Sequence, residues 1–402
     1  MTPANRTRPR LLALEDRLLP SVFTVTNTDK DGPGSFERAL EQAAFDYHPT
    51  IDFDIPGPGV HTIERGRFVV YGDDTLVDAT TQTGYAGLPL IELNGFDEPS
   101  GIGLDIEGDH ATVRGLDLNG FRLHAILNNA GPTTIEDNFI GTDPSGTVAI
   151  PNGDGIVSDP GGMMVRQNLI SGNRSTGVSV AAYAHLLGNL IGTDVTGQDP
   201  LPNGSDGIYL NEGFNTIGGQ SPGEGNVIAF NRIGVNEGDP LSSGNVFWSN
   251  SIFCNGQSIR FGSSDAPRVA PPLLSEASVS GDQLTITGTM QPECRLGTGC
   301  PDSPVMTLEF FGNDIRKDQG QRFLGRRTLT VHSTDDRSDR FRITLDLQGA
   351  DPGNYVTANE TDLFLNRFYD TSPFSHGVPV THPGMDLVAL ATAPREGQGQ
   401  AV

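Results

Sequence analysis

Two arginines and two aspartates near the middle of the chain have the types and spacing to carry out acid–base chemistry. Arg166 and Arg174 closely follow Asp154 and Asp159. An arginine acts as a base only where its surroundings lower its pKa, and a calcium ion held by clustered carboxylates would do so. A calcium-assisted elimination is therefore one hypothesis for these four residues.

A second set of aspartates occurs in two segments of similar sequence and could contribute to a calcium site. The set consists of Asp143, Asp154, Asp194 and Asp206. Carboxylate oxygens suit Ca²⁺, but neither an EF-hand loop nor a calcium-binding nonapeptide is present. The alternative is structural, because Asp143 and Asp194 stand in Gly-Thr-Asp-x-x-Gly turns, where an aspartate bonds its own backbone. We favour the structural interpretation.

Histidines and aromatic residues are spread along the same region. His110, His124 and His185 lack the spacing of metal ligands, which favours solvated or buried roles. Four aromatic residues could stack on sugar rings if they shared one exposed face. They are Tyr85, Tyr183, Tyr209 and Trp248. Dispersed packing is the favoured alternative for this set.

Two short repeats predict the elements that position these side chains. The tripeptide Asn-x-Ile recurs at Asn138, Asn168, Asn189, Asn226 and Asn250. A small residue precedes an aliphatic one at Ile102, Ile126, Ile156, Val178, Ile208, Val235 and Ile259, at intervals of 22 to 30 residues. Repeats of this length are typical of solenoid proteins.

The repeats favour an all-β fold, a right-handed parallel β-helix over residues 57–266. Segments 140–156 and 191–208 share IGTD and PNG and lie two repeats apart. The region has room for about eight or nine coils, with aliphatic residues inside and glycines at the bends. The repeated asparagines are expected at the corners as a hydrogen-bonded ladder. Asp143 and Asp194 would then lie about 10 Å apart, too far to share one cation.

The region before the repeats predicts a cap over the first coil. Residues 22–56 read as strand, helix, strand, with Ser35 as the N-cap of a helix whose apolar residues recur at helical spacing. Residues 1–21 form a basic leader that is expected to be disordered. The leader lacks the apolar region of an ordinary signal peptide.

The region after the repeats changes character at a proline-rich hinge. Residues 267–380 contain short alternating strands typical of an immunoglobulin-like β-sandwich, and residues 381–402 are expected to form a disordered tail. Cys294 and Cys300 are close enough in sequence to form a disulfide. Cys254 is expected to be a small buried residue.

Composition excludes several classes of function. The formal net charge of −24 argues against nucleic-acid binding, which needs a basic face. A lysine base is excluded from the repeats, because Lys30 and Lys317 are the only lysines. No apolar run is long enough to span a membrane. We expect a monomer that requires no cofactor, with calcium as the one ion left open.

Several phrases together resemble the right-handed parallel β-helix proteins of the pectate-lyase-like superfamily, above all its planctomycete members. They are TVTNTDKDGPGSFERALEQA (24–43), DATTQTGYAGLPLIEL (78–93), HATVRGLDLNGF (110–121), the two IGTD…PNG segments, NTIGG (215–219), EGNVI (224–228) and NSIF (250–253). EFFGND (309–314) and DTSPFS (370–375) resemble the sandwich that follows the β-helix in that set. LALEDRLLPS (12–21) resembles an LEPR-type motif of exported planctomycete proteins.

The resemblance implies fold and export, and it leaves two functions open. Hydrolases of this fold use a Gly-His-Gly and an Arg-x-Lys element, and the coils contain neither. We therefore expect a non-catalytic secreted or cell-surface protein whose β-helix binds glycans or neighbouring surface proteins. The alternative is a polysaccharide lyase or hydrolase. It requires the candidate arginines and aspartates to converge on one face over adjacent coils.

Overall fold

The chain forms a β-helix followed by a smaller module of antiparallel strands. The structure is a computed structural model, and it describes residues 21–64, 66–96, 101–159, 161–238, 244–262, 269–290, 305–330, 339–363 and 369–382. Residues 1–20 of the leader, residues 383–402 of the tail, Cys294 and Cys300 lie outside the described residues, whereas Thr381, the first residue of the predicted tail, ends a strand. No helix in the described part of the chain is long and apolar enough to cross a membrane.

Three parallel sheets build the β-helix, and from the second strand onward each takes every third strand in chain order. Sheet A contains Val22–Val25, Thr50–Phe53, Leu76–Asp78, Thr112–Arg114, Thr134–Glu136, Met164–Arg166, His185–Leu187, Thr216–Gly218 and Val246–Trp248. Sheet B contains His61–Glu64, Ile91–Asn94, Leu116–Asn119, Phe139–Ile140, Leu169–Ile170, Leu190–Ile191, Val227–Ala229 and Ser251–Phe253. Sheet C contains Phe68–Val70, Ile102–Ile106, His124–Asn128, Asp154–Ser158, Val178–Val180, Asp206–Leu210, Ile233–Glu237 and Gln257–Arg260. The predicted right-handed parallel β-helix is confirmed.

Aliphatic side chains fill the interior of the β-helix because strands alternate between inward and outward residues. The inward row of sheet B is typical, and each of its members is at most 1% exposed. The row consists of Ile63, Leu93, Leu118, Ile140, Ile170, Ile191, Ile228 and Ile252. The isoleucines of the Asn-x-Ile repeat therefore form one continuous stack in the core.

The helix Phe36–Ala43 closes the N-terminal end of the stack. The hydroxyl of Ser35 accepts a hydrogen bond from the amide of Arg38 at 3.2 Å, which caps the helix. The Phe36 ring lies 5.4 Å from that of Phe53 and 4.8 Å from that of Phe68. The strands on either side of this helix pair within sheet A, so the cap is continuous with the β-helix. A short 3-10 helix, Ala79–Thr81, follows the third strand of sheet A.

Asparagines line two of the three corners between the sheets. Corner AB joins sheet A to sheet B, and it holds Asn138, Asn168, Asn189, Asn226 and Asn250. In this ladder each Nδ2 donates to the next Oδ1 at 2.8 to 3.1 Å. Corner BC holds a second ladder, Asn152, Asn173, Asn203, Asn231 and Asn255, with amide distances of 2.9 to 3.3 Å. All ten side chains are buried.

The C-terminal module divides its strands between two sheets. One sheet contains Leu273–Ser280, Gln283–Met290 and Asp339–Asp346. The other contains Val305–Asn313, Arg322–Thr330, Tyr355–Leu363 and Tyr369–Thr371. The last strand, Val378–Thr381, pairs in parallel with the first strand and antiparallel with Tyr355–Leu363, so it bridges the two sheets. The two sheets enclose their own hydrophobic core, as in an immunoglobulin-like sandwich.

The sandwich supplies partners to the last coil of the β-helix. The amide of Ser249 donates to both carboxylate oxygens of Glu309 at 3.1 and 2.9 Å. The backbone of Ile252 exchanges two hydrogen bonds with that of Gly320. Cys254, expected to be buried, is exposed, and its backbone φ of 52° is left-handed. The sandwich therefore occupies the place of a further coil.

Candidate functional site

The four residues considered for base chemistry do not share a face. Arg166 points outward from sheet A, whereas Asp154 begins a strand of sheet C. Arg174 lies in corner BC, and Asp159 lies in corner CA, which joins sheet C to sheet A; both side chains are exposed. The cluster that an arginine base requires is therefore not formed by these residues.

Asp143 and Asp194 each stabilise the turn in which they stand. Oδ1 of Asp143 accepts hydrogen bonds from the amides of Thr147 and Val148 at 3.2 and 3.0 Å. Oδ1 of Asp194 accepts one from the amide of Asp199 at 3.1 Å. Burial would raise the pKa of both carboxyls, but the bonds from nearby hydroxyls and amides outweigh it and lower their pKa. Both aspartates have structural partners for their charge.

Asp154 and Asp206 each have a side-chain partner on the outer face of sheet C. Oδ2 of Asp154 lies 3.3 Å from Nδ1 of His124, and Oδ2 of Asp206 accepts from Nδ2 of Asn236 at 2.7 Å. Burial alone would raise the pKa of Asp154, but its hydrogen bonds to His124 and to the amide of Thr176 outweigh burial, so its pKa is lowered. Within the described ranges no three His, Cys, Asp or Glu side chains are grouped as metal ligands. Calcium binding stays a prediction.

Sequence reasoning missed a row of charged side chains on the outer face of sheet A, in which acidic and basic residues alternate from Asp78 onward. It runs through five consecutive coils as Asp52, Asp78, Arg114, Glu136 and Arg166. Arg114 contacts Asp78 at 2.5 Å and Glu136 at 3.5 Å, and Nε of Arg166 donates to Glu136 at 2.6 Å. Burial raises the pKa of Asp78, but the bonds from Arg114 and Thr80 outweigh it and lower its pKa. The four members from Asp78 to Arg166 pair their charges between neighbouring strands of the sheet.

Corner CA has a recurring left-handed position that no sequence pattern revealed. In most coils the residue two positions before the sheet A strand has a positive φ, between 47° and 87°. We call this row the corner column; it contains His48, Asp74, His110, Pro132, Gly162, Tyr183, Phe214 and Gly244, and Pro132 is the one member without a positive φ. Left-handed backbone favours glycine, yet five members carry large side chains. The column projects these side chains from the corner in successive coils.

The N-terminal end of the corner column forms an aromatic pocket. Residues 44–48 and 71–74 line an open cavity of about 370 Å³, within the roughly 300–1,000 Å³ typical of small-molecule sites. Phe45 is 95% exposed, Tyr47 59% and Tyr71 61%. Three exposed aromatic side chains therefore belong to the lining of one cavity. We call this cavity the corner pocket.

Carboxylates and histidines surround the corner pocket. Oδ2 of Asp74 lies 3.2 Å from Nδ1 of His48, and its Oδ1 lies 3.9 Å from Nδ1 of His110. Oδ1 of Asp73 accepts a hydrogen bond from the amide of Asp109 at 2.9 Å. Hydrogen bonds lower the pKa of Asp46, a third carboxyl of the lining. The pocket thus combines flat apolar rings with hydrogen-bond acceptors.

The four aromatic residues considered for sugar stacking do not share a face. Trp248 is buried on sheet A beneath Arg326, whose guanidinium lies 5.8 Å from the ring centroid. Tyr85 and Tyr209 are partly buried on different sides of the β-helix. Tyr183 alone is exposed, and it belongs to the corner column. Its left-handed backbone, with φ of 60°, separates it from the other three, and no sequence pattern marks that position.

Comparison with known proteins gives weak similarities only. No protein-family model matches the chain, and no curated protein matches it. Among solved structures, the enzymatically active domain of tailspike protein 2 from bacteriophage CBA120 has 11% identity and a TM-score of 0.27, over 81% of this chain and 57% of that one. Tailspike gp49 of Acinetobacter baumannii bacteriophage Fri1, a capsular polysaccharide depolymerase, has 11% identity and a TM-score of 0.23, over 89% and 82%. The chain spans 57% and 64% of the two CBA120 tailspike structures it matches. Similarity at this level carries no argument about activity or substrate.

Proposed function

We propose that this protein is a non-catalytic, secreted or cell-surface β-helix protein that binds glycans at the corner pocket. One observation carries the proposal: three exposed aromatic side chains, Phe45, Tyr47 and Tyr71, meet around one cavity beside carboxylates. A pyranose presents an apolar C–H face and a rim of hydroxyls. Aromatic faces pack against the C–H face, and carboxylate oxygens accept hydrogen bonds from the hydroxyls.

The proposal is tested with the full chain on an array of neutral, amino and uronate glycans, followed by calorimetry on the best ligand. Tyr71→Ala removes one wall of the cavity, and we expect about a tenfold loss of affinity, equivalent to about 1.4 kcal/mol. Phe96→Ala is the matched control, because Phe96 is 81% exposed but lies outside the pocket. Wild-type protein that binds no glycan, or equal losses in the two variants, would contradict the proposal.

A polysaccharide lyase or hydrolase is the second candidate, and the charged row of sheet A is the observation that favours it. Arg114 and Arg166 lie on either side of Glu136 over three consecutive coils of one face. Glycoside hydrolysis also needs a protonated acid. Burial raises the pKa of Asp52 in this row, whereas the pKa of Asp78, the carboxyl that contacts Arg114, is lowered by its partners. We expect no unsaturated uronate and no new reducing ends from any glycan that binds. Product release that disappears in Arg114→Ala would favour the enzyme instead.

A further inference from the structure

We propose that the glycan ligand is an extended chain of positively charged amino sugars, which runs from the corner pocket along the corner column to Tyr183 and Phe214. This inference rests on the proposed function and goes beyond it in ligand class and length. It depends on three features of corner CA: a second aromatic surface, the distance between the two surfaces, and the charge of the corner.

The second aromatic surface is a stacked pair of exposed rings. The Tyr183 and Phe214 centroids are 5.4 Å apart, with an interplanar angle of 9°. Tyr183 is 60% exposed and Phe214 41%. The turn does not need these rings, because glycine occupies the equivalent position at Gly162 and Gly244. Two parallel rings in neighbouring coils make a flat apolar surface open to solvent.

The two aromatic surfaces lie on one straight path. Tyr71 and Tyr183 belong to the same corner, four coils apart, which is about 19 Å at about 4.8 Å per coil. Pro132 and Gly162 occupy the column between His110 and Tyr183, so no long side chain of the column blocks the path. A single sugar ring reaches only one surface. A chain of rings reaches both, and its affinity rises once it is long enough.

The charge of the corner selects the ligand. The turns of corner CA carry six carboxylates and neither lysine nor arginine in residues 71–75, 107–111, 129–133, 159–163, 181–184 and 211–215. The six are Asp73, Asp74, Glu107, Asp109, Asp159 and Glu212. An anionic uronate chain would meet like charges along this path, whereas protonated amines would meet opposite ones. Amino sugars therefore complement both the rings and the charges.

The test is calorimetry of the full chain with β-linked glucosamine oligomers of increasing length. The fully N-acetylated oligomers are a neutral control with the same backbone, and oligogalacturonate is the anionic control. We expect affinity for the glucosamine series to rise with length and to fall with added salt, because screening weakens charge attraction. The N-acetylated series should bind more weakly and without the salt effect, and oligogalacturonate should not bind.

Two double variants separate the contributions of the rings and of the charges. Tyr183→Gly with Phe214→Gly should lower affinity for long oligomers about tenfold and leave the shortest unchanged. Asp73→Asn with Asp109→Asn keeps the oxygens that accept the amides of Asp109 and Gly131. It should lower affinity for glucosamine oligomers several-fold and leave the N-acetylated series unchanged. Circular dichroism and thermal unfolding show whether each variant is folded.

The outcomes distinguish this inference from the proposed function. Binding of short glycans that depends on Tyr71 but not on length or on Tyr183 overturns the inference and leaves the function. Stronger binding of oligogalacturonate overturns the charge assignment. An oligolysine peptide is tested as a competitor of a glucosamine oligomer of equal charge. If the two compete equally well, the ligand of this path is a basic peptide, and the assignment to a glycan is overturned. Absence of all glycan binding contradicts both proposals.

Discussion

Corners AB and CA use the same backbone conformation for opposite purposes. In corner AB a left-handed residue such as Asp137 or Gln167 directly precedes a ladder asparagine, which is buried and bonded to both neighbouring coils. In corner CA the left-handed residue itself carries the prominent side chain, and that side chain faces solvent. Only a short asparagine pair, Asn215 and Asn245, occurs among the described residues of corner CA.

Burial, rather than backbone geometry, decides what a corner does. A buried corner must satisfy its amides and carbonyls internally, which restricts it to asparagine. An exposed corner can leave polar groups to water and can therefore vary its side chains.

Removal of one ladder side chain should have the largest effect. Asn189 accepts from the backbone amide and the Nδ2 of Asn168, and it donates to the carbonyl of Val165 and to Asn226. Asn189→Ala leaves these buried groups without partners, so we expect a loss of about 2–4 kcal/mol in the free energy of unfolding. Urea unfolding followed by circular dichroism measures it.

Asn211→Ala is the control for that prediction, because Asn211 is an exposed asparagine of corner CA. Its substitution should change stability by less than about 0.5 kcal/mol. Equal losses in the two variants would show that the corners do not differ in the way described.

Corner AB ends on a carboxylate of the sandwich, and this contact should depend on pH. Burial raises the pKa of Glu309 to about 7, against the opposing effects of the Ser249 amide and Arg326. The folded state thus binds more protons than the unfolded state, so stability is lost as pH rises from about 4.5 through 7. Glu309→Gln keeps an acceptor for Ser249 without the charge. Its stability relative to wild type should therefore improve between pH 5 and 8, by about 2–3 kcal/mol.

Thermal unfolding at several pH values checks the behaviour of Glu309. Other ionisable groups titrate alike in both proteins, so the difference between the two curves isolates Glu309. Parallel curves across this pH range would mean that the carboxyl titrates normally.

A large side chain of the corner column should matter least for stability. Tyr183→Gly loses the ring contact with Phe214 but relieves a left-handed tyrosine with φ of 60°. The two effects oppose each other, so we expect the free energy of unfolding to change by less than about 1 kcal/mol. A loss above 2 kcal/mol in urea unfolding would make this corner structural rather than a display surface.

The β-helix could be predicted from the sequence because its pattern is local and repeated. Isoleucine after Asn-x must point inward, and the interval between repeats gives the length of a coil. The capping helix was equally visible, since Ser35 and the apolar spacing after it are short-range signals.

The second ladder and the corner column could not be predicted, for a physical reason. Asn152 and Asn203 stand in PNG segments beside aspartates, and the same residues fit a calcium loop or a turn until their burial is known. The corner column holds histidine, aspartate, proline, glycine, tyrosine and phenylalanine at one geometric position. All of its members except Pro132 share a left-handed backbone angle, and residue type does not specify that angle.

The closed ends of the β-helix have a consequence for its behaviour at high concentration. A stack of parallel coils presents unpaired strand edges at each end, and a second molecule could continue the stack there. The packing of Phe36 at one end and the contacts of Glu309 and Gly320 at the other prevent this continuation. Protection against fibre growth therefore depends on the contacts at these two ends, however acidic the rest of the surface is.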